Sequence, residues 1–306
     1  MTRLSAIVPA TNEPPTLDRC VAAIRAAEEP PEEVIVVSEA AAPGPAAARN
    51  EGAARATGEV LVFVDADVVA RPDAFRRIRR AFESDAELAA LFGSYDVEPE
   101  HPALVSAFRN LLHHHVHHAG AGSVSTFWAG LGAIRRDAFD AAGGFDAHRF
   151  PNPSVEDVDL GLRVSGAGGR IRLDPTILGT HLKAWSLAGM LHTDFARRGV
   201  PWAELMLERR AGSIGLNLGW RHRLSALAVL AACVSAAGRR RGPAAVAIAA
   251  MVALNADFYR LLLRRRGPVD AAAGVGLHAL HHLTAIASIP AAIVARKLRP
   301  RAQGAR

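Results

Sequence analysis

The chain is 306 residues long, half of them hydrophobic and 22% charged, with a formal net charge of +6. Such a chain buries a sizeable core, which excludes general disorder, and it has room for one large domain or one domain with an appendage. Its two cysteines, Cys20 and Cys233, lie far apart, which excludes a disulfide framework or a cysteine zinc site and suits a reducing compartment. Charge is unevenly spread. Residues 1–220 carry 28 acidic against 22 basic side chains, whereas from Arg221 onward only Asp257 and Asp270 oppose clusters of arginine. A basic tail on a body with no excess of positive charge points to an anionic partner. Its arginines flank apolar runs and are not interleaved with aromatics, which favours membrane lipid and argues against nucleic acid.

In chain order, "LSAIVPA" is a short apolar run ending in proline, too short for the core of a signal peptide, so the main domain is expected to stay on the side where it is made. "TLDRCVAAIRAA" has helical spacing and "EEVIVVS" is a β-branched run. "GPAAARNEGAARATG" reads as a helix with a glycine stop, and "EVLVFVDADV" as a strand ending in acids. Continuous apolar strands alternating with helices predict an α/β fold, its largely parallel sheet covered on both faces. Ligands then bind at the carboxyl ends of the strands, which directs attention to residues 9–13, 38–39 and 65–67.

Further on, "HPALVSAFRNLLHHHVHH" reads as a helix, "TFWAGLGAIRRDAF" as a strand and a helix start, and "GGFD" as a turn. "SVEDVDLGLRVSGAGG" has the pattern of a helix with a serine cap, acids in its first turn and a glycine end. After Trp220 the composition shifts to alanine-rich apolar runs, 224–237, 242–263 and 269–295, each followed by basic residues. None is a clean span of about 20 uncharged apolar residues. Two readings stand: membrane-associated helices, or a helical cap. The chain therefore divides into a main domain, 1–220, and a C-terminal region, 221–306.

The chemistry concentrates at "VFVDADV". Residues i and i+2 share a face of a strand, so Asp65 and Asp67 are expected side by side at a sheet edge. Two such carboxylates repel unless a cation lies between them, and Mg²⁺ or Mn²⁺ with oxygen ligands, shared with a phosphate, meets that need.

"IVPATNE", "RNEGAARATGEVLVFVDADV", "GGFD" and "EDVDLGLRVSGAGGRI", in that order, resemble the family 2 glycosyltransferases of the GT-A fold over about residues 4–185. The resemblance implies a nucleotide-sugar donor, with Pro9 and Glu13 near the nucleotide and Asp65 and Asp67 on metal and diphosphate. It places Arg49 and Asn50 at the donor, the arginine fork suiting phosphate oxygens. The family's acidic loop after the second strand is replaced by "VVSEAAAPGPAAARN", leaving Glu39 as its acid. The resemblance makes Asp157 the base that takes the acceptor hydroxyl proton, with Glu156 in support, and implies an inverting single displacement. It aligns His181 with a late histidine used as a third metal ligand, and brings Trp128 and Gly130 to the acceptor side. Lys183, Arg197 and Arg198 are further candidates for phosphate.

The family's "Q-x-x-R-W" motif is absent, which points to transfer of one sugar. The reading is thus a metal-dependent transferase at the cytoplasmic face of the plasma membrane, its acceptor a sugar or lipid-linked. Its alternatives are a catalytically impaired membrane scaffold and a nucleotidyltransferase; the latter is disfavoured because "VPATNEPPTL" lacks a glycine-rich basic phosphate loop. The run "HHHVHH" pairs His113 with His117 and His114 with His118 at i, i+4. It is open to three readings: a metal site, an acceptor or interface contact, or a plain helix surface.

Overall fold

The structure, a computed structural model, describes residues 1–209 and 219–298. It divides into two compact units. The first comprises residues 1–185 among those described. The second comprises 186–209 and 219–298. The division thus falls earlier than a residue-220 boundary, and residues beside that expected boundary lie outside the described part. The reason is packing: helices over 187–209 pack on the last helix of the chain, where Asp194 pairs with His281 at 2.9 Å.

The first unit is a mixed α/β sandwich. Strands β1 (Leu4–Pro9), β2 (Glu33–Val37) and β3 (Val60–Val64) pair in parallel, linked by helices α1 (Leu17–Arg25) and α2 (Pro45–Arg55). Helix α2 ends at Arg55 with Ala56 already extended, so the chain leaves the helix before Gly58 is reached. After β3 come β4 (Val68–Ala70), α3 (Ala74–Ser84), β5 (Leu88–Tyr95), α4 (Leu104–Ala119), β6 (Gly122–Val124), β7 (Leu131–Arg135), α5 (Arg136–Ala141), α6 (Glu156–Gly166) and β8 (Arg170–His181). The sheet order is β2-β1-β3-β7-β5-β8-β4, with β6 paired to β8. Strand β7 enters antiparallel to both β3 and β5.

Alternation along the strands builds two cores. Leu4, Ala6 and Val8 of β1, with Val60, Val62 and Val64 of β3, face α1 and α3 through Ile24, Phe75, Ile78 and Phe82. Ile7, Leu61 and Phe63 face the other way, onto α2, α5 and α6. Phe63 is the hub there, 5.1 Å from Phe145 and 5.7 Å from Phe139 between ring centres. A strand covered on both faces needs apolar residues at every position, which is why β3 is buried throughout.

The second unit is helical: α7 (Leu187–His192), a π-helix (Thr193–Gly199), α8 (Val200–Arg209), α9 (Trp220–Ala237), α10 (Arg241–Leu254) and α11 (Ala256–Leu298). The apolar run 242–263, expected as one segment, is broken. Asn255 ends α10, and its amide donates to Ser225 Oγ and Met251 O. Helix α11 is itself interrupted at Gly267, whose φ of 82° is outside the helical region, with Pro268 opening the next stretch.

Candidate active site

The candidate residues come from the turn after β3 (Asp65, Asp67), from helices α2 (Arg49, Asn50) and α6 (Glu156, Asp157), and from the end of β8 (His181). Asp65 and Asp67 do not share a strand face, as the i, i+2 spacing predicts. Strand β3 ends at Val64, and "DAD" forms the turn into β4, closed by Val68 N donating to Asp65 O. The turn separates the two side chains and gives each its own partner. Asp65 Oδ1 accepts from Arg49 Nη2 at 2.6 Å. Asp67 Oδ2 lies 3.5 Å from His181 Nε2.

Arg49 is buried, and its other terminal nitrogen, Nη1, donates to Glu156 Oε1 at 2.9 Å. This corrects its reading as a diphosphate or base contact: both ends of its guanidinium fork are spent on carboxylates inside the protein. Burial acts to lower its pKa, but the negative charges of Asp65, Glu156 and Asp157 outweigh that and raise it. Asn50 is likewise a clamp and not a free donor contact. Its amide donates to Phe145 O, and its Oδ1 accepts from Phe145 N, both at 2.8 Å. It thereby fixes the "GGFD" turn, in which Gly143 and Gly144 take φ of 75° and 66°.

Glu156 and Asp157 open α6. Val155 is the residue before the helix and no side chain caps it, so the serine cap expected at Ser154 does not form; instead Ser154 N donates to Glu156 Oε2. Asp157 Oδ2 accepts from Ala129 N at 3.1 Å and Oδ1 from Val158 N at 2.8 Å. Burial pushes the Asp157 pKa up to about 6, with the Glu156 charge adding to the rise and Arg49 opposing it. That brings it to the range in which a carboxylate works as a general base.

The segment 127–130 ties the motifs together. Gly130 O accepts from Asp65 N, and Ala129 N reaches Asp157. The Trp128 indole lies over Gly130, where a Cβ would meet it at 2.3 Å. Trp128 is half-buried and packs on Tyr95, His113 and His117 at 5.0, 4.6 and 5.3 Å. Pro9 ends β1 beside this rim, and Glu13 and Glu39 are exposed, Glu13 with φ 46°. Lys183 is exposed with its Nζ 4.4 Å from the Trp185 ring centre; Arg197 and Arg198 belong to the π-helix of the second unit.

The residues fit a divalent ion through two donors, not three. Asp67 and His181 place an oxygen and a nitrogen within the span of one coordination sphere, while Asp65 is committed to Arg49. Among the described residues no three His, Cys, Asp or Glu side chains form a ready metal cage. A two-donor seat suits an ion whose other positions are filled by phosphate and water. Asp67 is half-buried; desolvation acts to raise its pKa, but the His181 hydrogen bond and charge and the Lys183 charge outweigh that and hold it below the ordinary carboxylate value.

Sequence reasoning did not find Tyr95, whose ring stacks on His181. Its signal was its place: it ends β5 as Val64 ends β3, at the same rim of the sheet.

Residues 38–143 match the family described as glycosyl transferase family 2. A mannosyltransferase from Pyrobaculum calidifontis, solved in complex with GDP-Man and Mn²⁺, is similar in fold at 17% identity and a TM-score of 0.56, covering 94% of this chain and 87% of its own. A glucosyl-3-phosphoglycerate synthase from Mycobacterium tuberculosis, solved with Mn²⁺, UDP-Glc and glycerol 3-phosphate, aligns more loosely: 15% identity, TM-score 0.40, 62% of this chain and 75% of its own. No curated protein matches by sequence. The family 2 glycosyltransferase match thus spans residues 38–143, and the fold of the chain is similar to that of the mannosyltransferase.

Proposed function

We propose that the chain transfers a single sugar from a nucleotide-sugar donor to an acceptor hydroxyl with inversion, in a metal-dependent reaction. The observation that carries this reading is Asp157. It is held by Ala129 N and Val158 N with its pKa raised to about 6, beside a loop that also binds the backbone of Asp65. Two backbone donors fix the carboxylate without neutralising it, so it can take a proton at either oxygen. The acceptor oxygen bonds to the anomeric carbon as the bond from that carbon to the diphosphate breaks. The hydroxyl proton passes to Asp157, and a nucleoside diphosphate leaves. One displacement of this kind inverts the anomeric centre.

Asp67 and His181 would hold the metal, which when bound offsets the charge of the diphosphate leaving group. The nitrogen donor favours Mn²⁺ over Mg²⁺, because Mg²⁺ prefers an all-oxygen shell. The mannosyltransferase named above was solved with Mn²⁺ and a nucleotide sugar, which supports the same pairing here. Glu156 and Arg49 position the base. Pro9, Glu13 and Glu39 offer the accessible rim for the nucleotide, and Trp128 with Gly130 the acceptor side.

The C-terminal unit supports a place at the plasma membrane, with a lipid-linked acceptor and the catalytic unit in the cytoplasm. Helix α11 is the one described helix long and apolar enough to cross a bilayer by length and composition. Wild type with Mn²⁺ should release nucleoside diphosphate from a member of a nucleotide-sugar panel. Asp157→Asn should lose at least 10²-fold in rate while binding nucleotide as wild type does. Equal turnover in the variant would remove Asp157 as the base, and no nucleotide binding by wild type would remove the transferase reading itself.

A further inference from the structure

The histidine run of α4 is not used by the reaction as described, and it does not form a metal site of its own. Its inward face is bound to β5. His117 Nδ1 pairs with Gly93 O at 2.9 Å and His114 Nδ1 with Tyr95 O at 2.8 Å; one turn earlier, Asn110 Nδ2 donates to Asp96 O at 2.7 Å. An imidazole suits these positions because it packs as an aromatic ring and also hydrogen-bonds a strand carbonyl. A phenyl or isobutyl group would do only the first.

These contacts fix the end of β5, and with it Tyr95. The Tyr95 ring lies flat on the His181 ring, 4.3 Å between centres and 9° between planes. Its surroundings are the His113 ring at 4.2 Å and the Trp128 indole at 5.0 Å. Tyr95 and His181 are both buried, and they come from strands joined in the sheet, β5 and β8. His181 in turn aims Nε2 at Asp67 Oδ2.

We propose that Tyr95, backed by His113, is a positioning residue for the metal seat: its stacked ring sets the plane of the His181 imidazole so that Nε2 and the Asp67 carboxylate meet one ion. The role rests on the metal-dependent reading above. It assigns the histidine run to the support of a metal ligand, in the way that partners behind a ligand orient it and tune affinity. The contact is a flat ring against a flat ring, so the phenol oxygen is dispensable and the ring is not.

The test is Mn²⁺ binding to the full chain, measured by calorimetry and by the electron paramagnetic resonance signal of free Mn²⁺, with nucleoside diphosphate present. Tyr95→Phe should bind Mn²⁺ within about twofold of wild type. Tyr95→Leu should weaken it about tenfold or more, with nucleotide affinity measured without metal unchanged. His113→Leu, further from the ligand, should weaken it by a smaller factor, and His113→Phe should restore it. It is the variant to read if Tyr95→Leu does not fold.

Folded Tyr95→Leu and His113→Leu proteins that bind Mn²⁺ as wild type does would overturn the positioning role. The metal-dependent reading fails differently: wild type would bind no Mn²⁺, or Asp67→Ala and His181→Ala would bind it unchanged.

Discussion

Arg49 is the residue through which the two carboxylate motifs reach each other. It is buried between Asp65 and Glu156, and its charge is one of the influences on the pKa of Asp157. Replacing it with methionine leaves Glu156 buried without its cation. Removal of one partner of a buried pair costs about 3–5 kcal/mol, so Arg49→Met should lower the free energy of urea unfolding by about that amount. The same change should be visible in catalysis.

As the proposed base, Asp157 must be ionised to accept a proton, so kcat/KM should rise about tenfold per pH unit up to about pH 6 and level off above it. Arg49 lowers this pKa, so its loss should move the rise to higher pH. The stability sign is opposite. The folded-state pKa is raised above the ordinary carboxylate value, so between about pH 4 and pH 6 the native state binds more protons at this group than the unfolded chain. Its contribution favours folding as pH falls through that window and opposes it above. A pH–rate profile flat from pH 4.5 to 8 would remove Asp157 from the base role. None of this was readable from "RNEG" alone. The motif places an arginine on a helix, but its two partners lie 16 and 107 positions away, and a fork that looks free for phosphate is already filled.

At the scale of elements, the N-terminal half of the first unit was legible and its return path was not. The strands β1 to β3 and the helices α1, α2, α4 and α6 each carry enough residues for a period of 2 or 3.6 to show. Strands β4 and β6 have three residues each, and no period can be seen in three. Strand β8 is interrupted in pattern by Pro175 and changes neighbours along its length, pairing with β5, β6 and β4, so its faces do not alternate simply. The turn at Asp65–Asp67 escaped for a related reason: the apolar run continues past it, in Val68 and Val69, and hides the end of β3.

Helix α6 shows how tightly these elements are fitted. Gly161 faces the backbone of Thr126 and Phe127, and a Cβ there would sit 2.3 Å from Phe127 N. Backbone cannot give way as a side-chain tip can. Gly161→Ala should therefore destabilise the protein by about 1–3 kcal/mol, the usual cost of overpacking, despite the better helix propensity of alanine. It should also reduce turnover, since α6 carries Glu156 and Asp157 and the displaced segment leads into Ala129. A thermal melt with unchanged midpoint would show that α6 has more room than the contacts indicate.

For the molecule as a whole, the helical unit poses a solvation problem that its own core does not solve. It buries Met251, Phe258, Leu262 and Leu277 on the inside, yet it exposes Val234, Val246 and Val269 at 65%, 70% and 79%, with Leu227 and Ile289 also over half exposed. Helices apolar on both faces lose free energy of burial in water, at roughly 25 cal/mol per Å² of exposed apolar area, and recover it in a bilayer.

The arginines at 239–241 and 264–266 flank these apolar stretches, where lipid phosphates would lie if the helices enter a bilayer. The two contributions separate by salt. Charge attraction is screened within about 3 Å at 1 M salt, whereas apolar insertion is strengthened or unaffected. The purified chain should float with vesicles of phosphatidylglycerol and phosphatidylcholine, remain with them through a wash at 1 M salt, and bind faster as the anionic fraction rises. Val246→Asp should weaken the salt-resistant part, because an acid in the apolar region costs about 2.5–3.5 kcal/mol. Complete release at 1 M salt would mean that arginine alone holds the chain to lipid and that the exposed valines meet something other than a membrane.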